Sequence, residues 1–434
     1  MAAAGSPLDE PFLVPGKDRE QRGGADDVAN IEAQLLLHHD TGASFWRSCL
    51  NLSNIISGVG LLSVPYALAQ GGWLSLVLFA VVGAVCYYTG ELIARCMRAG
   101  GGGGVSAVRS YPDIGQLAFG QPGRKTIGAI MYAELYLVAV SFLILEGDNL
   151  DKLLPGTAVG LPGGYVLRGK QLFTLVAAVV ILPTTWLRDL SVLAYVSAVG
   201  LVASVALTAS LVWAGVAEHG FHAKDANVFS LAGLPTSLSL YFVCFSGHGV
   251  FPTVYTSMRD NNGFTKVLLF SSVLCSLNYA LTAVLGYMIY GDDVKSLVTL
   301  NLPTGKVYTR IAILTTLITP LAKYALVIQP ITTGMEEKLS SSSRGSLARA
   351  AISTGVVVST VVAACTVPFF GYLMSFIGSS LNVTVAVLFP CLSYLMIGRV
   401  RRAEAAGIVA ILVFGVCVAV LGTYTSLHQI VSTF

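Results

Sequence analysis

Two stretches decide the fold: Asn54-Ile55-Ile56-Ser57-Gly58-Val59-Gly60-Leu61-Leu62-Ser63-Val64-Pro65-Tyr66 and Phe245-Ser246-Gly247-His248-Gly249-Val250-Phe251-Pro252-Thr253-Val254-Tyr255. Both carry Ser-Gly-x-Gly followed within a few residues by Pro, and both lie inside long apolar runs. Glycine costs about 1 kcal/mol in a helix interior and proline about 3, so each cluster weakens a continuous helix. The residues around each are apolar enough for a membrane. The pair therefore reads as two helices broken at bilayer depth.

The rest of the chain agrees with that solvent. Its 434 residues are 54% hydrophobic and only 11% charged, against about 25% charged in soluble chains. The mean hydropathy is +0.73. A soluble enzyme, a nucleic-acid binder and a disordered scaffold are excluded. The eight cysteines fall within or at the ends of apolar runs, with no CxxC and no Cys/His cluster. They read as packing residues, with neither a disulfide framework nor a metal site.

A helix needs about 20 apolar residues to cross a ~30 Å hydrocarbon core. Eleven such runs occur, near 44–69, 73–97, 124–147, 171–187, 190–217, 234–258, 264–290, 306–333, 347–367, 370–398 and 404–430. An all-α polytopic membrane protein follows. Residues 1–42 read as a disordered cytosolic tail, 43–217 as a first repeat of spans 1–5 and 218–398 as a second repeat of spans 6–10. Residues 399–434 hold span 11 and a C-terminus on the non-cytosolic side. With the N-terminus in the cytosol, 18 of the 26 Lys and Arg face the cytosol and 7 the other side, leaving Lys323 inside a span. That bias fits the positive-inside rule. No cleavable signal peptide opens the chain. Within the tail, Glu32-Ala33-Gln34-Leu35-Leu36-Leu37 reads equally as an acidic dileucine sorting signal or as a lead-in to span 1. Gly100–Gly104 reads as a flexible tether, because no Lys-Ser/Thr follows to make a phosphate loop.

The two broken spans are five apart, so the second copy runs through the membrane inverted. Matched Gly/Pro-interrupted spans in two inverted halves point to a secondary transporter with a midplane site. Unwound backbone at that depth is tolerated only where it lines a cavity or holds a ligand. The amides around Gly58 to Leu62 offer N–H donors to a carboxylate. Carbonyls near Ile56–Ser57 and Phe245–Ser246 offer acceptors to an ammonium group. An α-amino acid has both ends. The candidate substrate-binding residues are Asn54, Ser57, Gly58, Val59, Gly60, Ser246, Gly247, His248 and Gly249. Close helix packing or a proline kink is the competing account.

Ionisable side chains at bilayer depth are functional candidates by default. Lys323, midway along span 8, can carry a proton, or its ammonium can fill the volume that sodium takes in sodium-coupled transporters. Glu134 in span 3 is either a proton carrier or the structural partner of Lys323. His248, between the glycines of span 6, is either a pH-responsive group or a neutral residue shaping the break. Glu91 and Glu146, near span ends, read as solvated or snorkelling. Ser375, Ser379, Ser380 and Asn382 of span 10 either face the pathway or bond between helices.

These residues resemble the amino acid/auxin permease family, in its plant-type vacuolar amino acid transporter branch. The resemblance covers nearly everything after residue 43. It is carried by 54–66, Tyr111-Pro-Asp-Ile-Gly-Gln-Leu-Ala-Phe-Gly120, Trp186-Leu-Arg-Asp-Leu-Ser-Val-Leu193, Ser246–Pro252, Thr319-Pro-Leu-Ala-Lys-Tyr-Ala-Leu326 and Val367-Pro-Phe-Phe370. It implies eleven spans in the 5+5 inverted-repeat fold of bacterial leucine transporters, plus one extra helix. It also implies proton-coupled transport of amino acids, neutral ones in our reading, by a monomer in the vacuolar membrane. The loops after spans 3 and 5 lack the cysteines of the animal branches. No cofactor is expected beyond the proton gradient, and the partners are substrate, protons and lipid, not nucleic acid. The alternatives are a plasma-membrane permease for auxin or another small carboxylate, and an amino-acid-sensing receptor with little transport. An enzyme is not expected, since there is neither HExxH nor an intramembrane aspartate pair.

Overall fold

The computed structural model describes residues 42–100, 108–160, 166–186, 191–221, 227–336, 345–367, 369–398 and 400–433. The dileucine-like segment, nearly all of the tail, the glycine tether from residue 101 onward and the centre of the Trp186–Leu193 motif lie outside them. Helices dominate, in this order: α1 (Phe45–Ile56), α2 (Gly60–Gly71), α3 (Ser75–Gly100), α4 (Tyr111–Leu153), α5 (Gly169–Thr185), α6 (Ser191–Ala214) and α7 (Leu234–Cys244). There follow α8 (Phe251–Ser257), α9 (Phe264–Tyr290), α10 (Val307–Glu336), α11 (Ser346–Thr366), α12 (Phe370–Phe376), α13 (Phe389–Ile397) and α14 (Arg402–Ser432). A hairpin of β1 (Ala158–Gly160) and β2 (Val166–Arg168) interrupts the all-α pattern in the loop after span 3.

Among the described residues, eight helical segments are long and apolar enough to cross a membrane, and nine if α1 and α2, bent by 53° at a short break, form one span. The fourth expected span is the 17-residue α5, and the sixth is divided between α7 and α8. Length and composition thus reach nine rather than eleven, because short and broken helices fail a length criterion even where the chain is apolar. Span 3 also starts earlier than expected. A helix from Tyr111 runs into it across a kink at Gly120 (φ 70°). Its start is fixed by Pro112 in the first turn and by the Asp113 carboxylate, which accepts from the Ser110 N–H at 2.9 Å.

The bundle is apolar on the outside as well as the inside. Val179, Val202, Leu277, Val362 and Val420 are each more than half exposed. Such a periphery suits lipid, while the polar side chains Ser53, Asn54, Ser57, Thr208 and Thr282 turn inward. All eight cysteines are free, and six are buried.

α2 packs on α7 and α9, while α10 packs on α6 and α4. The first break is therefore enclosed by α6, α9 and α10. In span 10, two consecutive π-helical runs, Ile377–Asn382 and Thr384–Leu388, join α12 to α13. Ser375 accepts from Ser426 at 2.8 Å and Ser379 meets Thr423 at 3.3 Å, both on α14. Two of the four span-10 candidates thus bond between helices.

Candidate transport site at the first break

The chain leaves the helix at Ser57 (ψ 78°) and re-enters it at Gly60. Between them the Gly58 N–H is shared by the Ile56 carbonyl at 2.8 Å and the Tyr279 hydroxyl at 3.1 Å. Leu61 and Leu62 turn back onto the Gly58 and Val59 carbonyls at 3.3 and 3.1 Å. The expected donors from Gly58 to Leu62 are therefore partly satisfied within the break. Among the described residues, the Val59 and Gly60 amides form no such bond.

The carbonyls have partners too. Lys323 Nζ, reaching in from α10, donates to Asn54 O at 3.0 Å and approaches Ser57 O at 3.5 Å. Tyr279 Oη donates to Ile56 O at 2.9 Å, and Cys275 Sγ to Ser53 O at 3.3 Å, both from α9. An ammonium group does sit at the end of the first half-helix, and it belongs to the protein. The negative end of the helix dipole adds to its hold.

Ser57 Oγ bonds Ser204 Oγ on α6 at 2.7 Å. The side of the break facing α6 and α10 opens onto a cleft lined by Ser57, Gly58, Val59, Leu145, Ser204 and Thr319, among others. It holds about 370 Å³ of empty space, mouth included. A Cβ on Gly58 would meet nothing nearer than 3.9 Å, so a ligand can approach the main chain there.

The second break contributes no lining to that cleft, yet it touches the first. A Cβ on Gly60 would lie 2.9 Å from Cys244 Cα, and one on Gly247 2.8 Å from Ile55 Cγ2. Gly247 also has φ +135°, which L side chains rarely adopt. Before it, Ser246 N–H bonds Val243 O at 3.3 Å, and after it His248–Val250 form a short 3₁₀ turn. A Cβ on Gly249 would lie 2.8 Å from Met131 Cε. Here glycine is required for close packing and for backbone conformation.

His248 is 1% exposed and faces α3, not the cleft. Its Nε2 lies 3.0 Å from Cys86 O and 3.1 Å from Thr89 Oγ1. A carbonyl only accepts, so Nε2 carries the hydrogen. Nδ1 has no partner. The ring lies 4.6 Å from that of Phe251.

The remaining acids divide. No ion pair joins Glu134 to Lys323 among the described residues, so the second of its two readings, structural partner of that lysine, finds no contact here. Glu91 sits in a network with Arg98 (2.8 Å), Arg95 (3.5 Å) and Thr265 (2.6 Å). Glu146, expected to be solvated or snorkelling, is 1% exposed, and its Oε1 has no partner among the described residues. At the next residue α5 packs closely: a Cβ on Gly147 would come within 2.9 Å of Lys170 O. Neighbouring Asp148 pairs with Lys170 at 2.5 Å.

Tyr279 and Ser204 were not legible as site residues. An aromatic in an apolar run carries no signal of its own. Ser204 stands four residues after Gly200 on α6, and that small-x-x-x-small spacing marks a close helix approach.

The family described as transmembrane amino acid transporter protein matches residues 41–428. The chain is 44% identical over 396 residues to the amino acid transporter AVT1I of Arabidopsis thaliana, covering 90% of this chain and 96% of that protein. It is 42% identical to the amino acid transporter AVT1J of the same plant, covering 98% of each. To AVT1B it is 40% identical over 92% of this chain and 74% of that relative.

Proposed function

We propose, on the premise that this chain belongs to the family of transmembrane amino acid transporter proteins, that it moves neutral amino acids across the vacuolar membrane by alternating access, driven by protons. The chain is a multi-pass membrane protein and an amino acid transporter, not an enzyme. Proton coupling, the class of amino acid and the membrane are the parts of this reading that go further.

One observation carries the proton coupling: the Lys323 ammonium at 3.0 Å from Asn54 O and 3.5 Å from Ser57 O, at the edge of the cleft. A protonated lysine holds the end of α1 by charge-assisted hydrogen bonds, which are roughly twice as strong as neutral ones. Loss of the proton removes that hold and loosens the break, so the proton and the shape of the site are linked. The cleft's lining by leucines, alanine, threonines and serines, with no side-chain charge, supports neutral substrates. The vacuolar membrane rests on the resemblance to the plant vacuolar branch.

The test uses full-length protein in liposomes with an acidic interior, following internal pH and the flux of labelled amino acids together. Neutral amino acids should move only while the pH difference lasts, and should dissipate it. Flux indifferent to that difference would remove proton coupling. Saturable binding without flux would favour a receptor. Failure of every amino acid would promote another carboxylate. A fluorescent fusion in plant cells should mark the vacuolar membrane; plasma-membrane labelling would overturn that assignment.

A further inference from the structure

One neutral hydroxyl occupies the two groups of the first break that suit the two ends of an amino acid. Tyr279 Oη accepts from the Gly58 N–H at 3.1 Å and donates to Ile56 O at 2.9 Å. A carboxylate arriving at the break needs such an N–H, and an ammonium needs such a carbonyl. Tyr279 is 1% exposed, and its ring lies 6.4 Å from that of Phe245, where the second break begins. Ser57 and Gly58 line the cleft, and no side chain covers Gly58 on its own Cβ side. The hydroxyl, together with the Ile56 carbonyl at 2.8 Å, therefore holds the Gly58 N–H against a ligand in this cleft.

The geometry points to Tyr279 as a resident stand-in for the substrate carboxylate: a positioning residue that keeps the empty break ordered and yields the Gly58 N–H when an amino acid binds. This rests on the proposal that the first break is the substrate site. The phenol keeps its proton, which stays directed at Ile56 O or turns toward the incoming carboxylate, so no proton is gained or lost in the exchange. Apparent affinity is then set by a competition at the Gly58 N–H, which only the carboxylate end of the ligand enters.

The test compares wild type with Tyr279→Phe in the full-length protein, using the best-transported amino acid of the liposome panel and the amino alcohol derived from it. Removing the competing hydroxyl should lower the KM and Kd of the amino acid by about tenfold, the scale of one to two neutral hydrogen bonds. The variant also frees Ile56 O for the ammonium that both ligands carry, so the Kd of the amino alcohol, which lacks the carboxylate, should fall by at most about threefold, and maximal flux should not rise. An amino acid KM that is unchanged or raised, or equal shifts for both ligands, would overturn the role. A purely structural effect would move both ligands alike. Should the variant fold poorly, fluorotyrosine placed at position 279 of otherwise wild-type protein gives a second reading. Its fluorine resonance should move on adding the amino acid and stay fixed with the amino alcohol; no movement with the amino acid overturns the proposal. Absence of transport in the wild type would strike the functional reading instead, so the two failures are distinguishable.

Discussion

Lys323 and Asn54 are 269 residues apart in sequence, yet the ammonium of one lies 3.0 Å from the carbonyl oxygen of the other. The contact joins span 8 to the last turn of the first half-helix. A backbone carbonyl left free by a broken helix needs a partner at this depth, and a lysine there needs acceptors. Each resolves the other's deficit.

Lys323→Met should therefore abolish proton-driven flux, by at least tenfold, while the protein stays inserted. It removes the charge and strands two carbonyls. Lys323→Arg should retain less than a third of the flux, since a planar fork does not fit the place of a compact ammonium. Initial rates across a range of internal pH check both variants, and wild-type rates in Lys323→Met would refute the coupling role.

Glu134→Gln should slow proton-driven flux less than threefold. Among the described residues Glu134 makes no ion pair with Lys323, and it does not line the cleft. A loss as deep as that of Lys323→Met would move the proton from the lysine to this carboxyl.

The glycines of the breaks should separate by stability. Gly247→Ala should lower stability by about 1–3 kcal/mol, because φ +135° excludes a Cβ that would also meet Ile55. Gly58→Ala should leave thermal unfolding in detergent within about 1 kcal/mol of wild type, because its Cβ would stand in open space. Substrate binding should nonetheless weaken there. Equal melting of the two variants would contradict the assignment.

Ser57→Ala and Ser204→Ala should be coupled. The 2.7 Å bond between the hydroxyls predicts an interaction of about 1 kcal/mol in a double-mutant cycle on stability. Strict additivity would mean the bond contributes nothing.

His248→Gln should shift expression or stability and leave the pH profile of transport unchanged. Its Nε2–H is committed to Cys86 O, and its ring is buried against Phe251. A displaced profile would restore the histidine as a pH-responsive group.

Much of this protein was legible without coordinates, because the signals are local. Helix propensity marks Ser57–Gly60 and Ser246–Gly249 as breaks wherever the rest of the chain lies, and transfer energy marks the apolar runs. The same arithmetic singles out Lys323 as a charge in an apolar span. What local signals do not contain is the rotation of each helix about its axis and the identity of its neighbours. Those decide that the acceptors at Asn54 and Ser57 are taken by Lys323, and those at Ile56 by Tyr279. They also decide that, among the described residues, Glu146 is buried with Oε1 unpartnered although it stands near a span end, and that Glu134 and Lys323 form no pair. The sequence by itself determined where the backbone must come free in the membrane. Only the tertiary structure decided which side chains hold it, because those partners arrive from helices more than a hundred residues away.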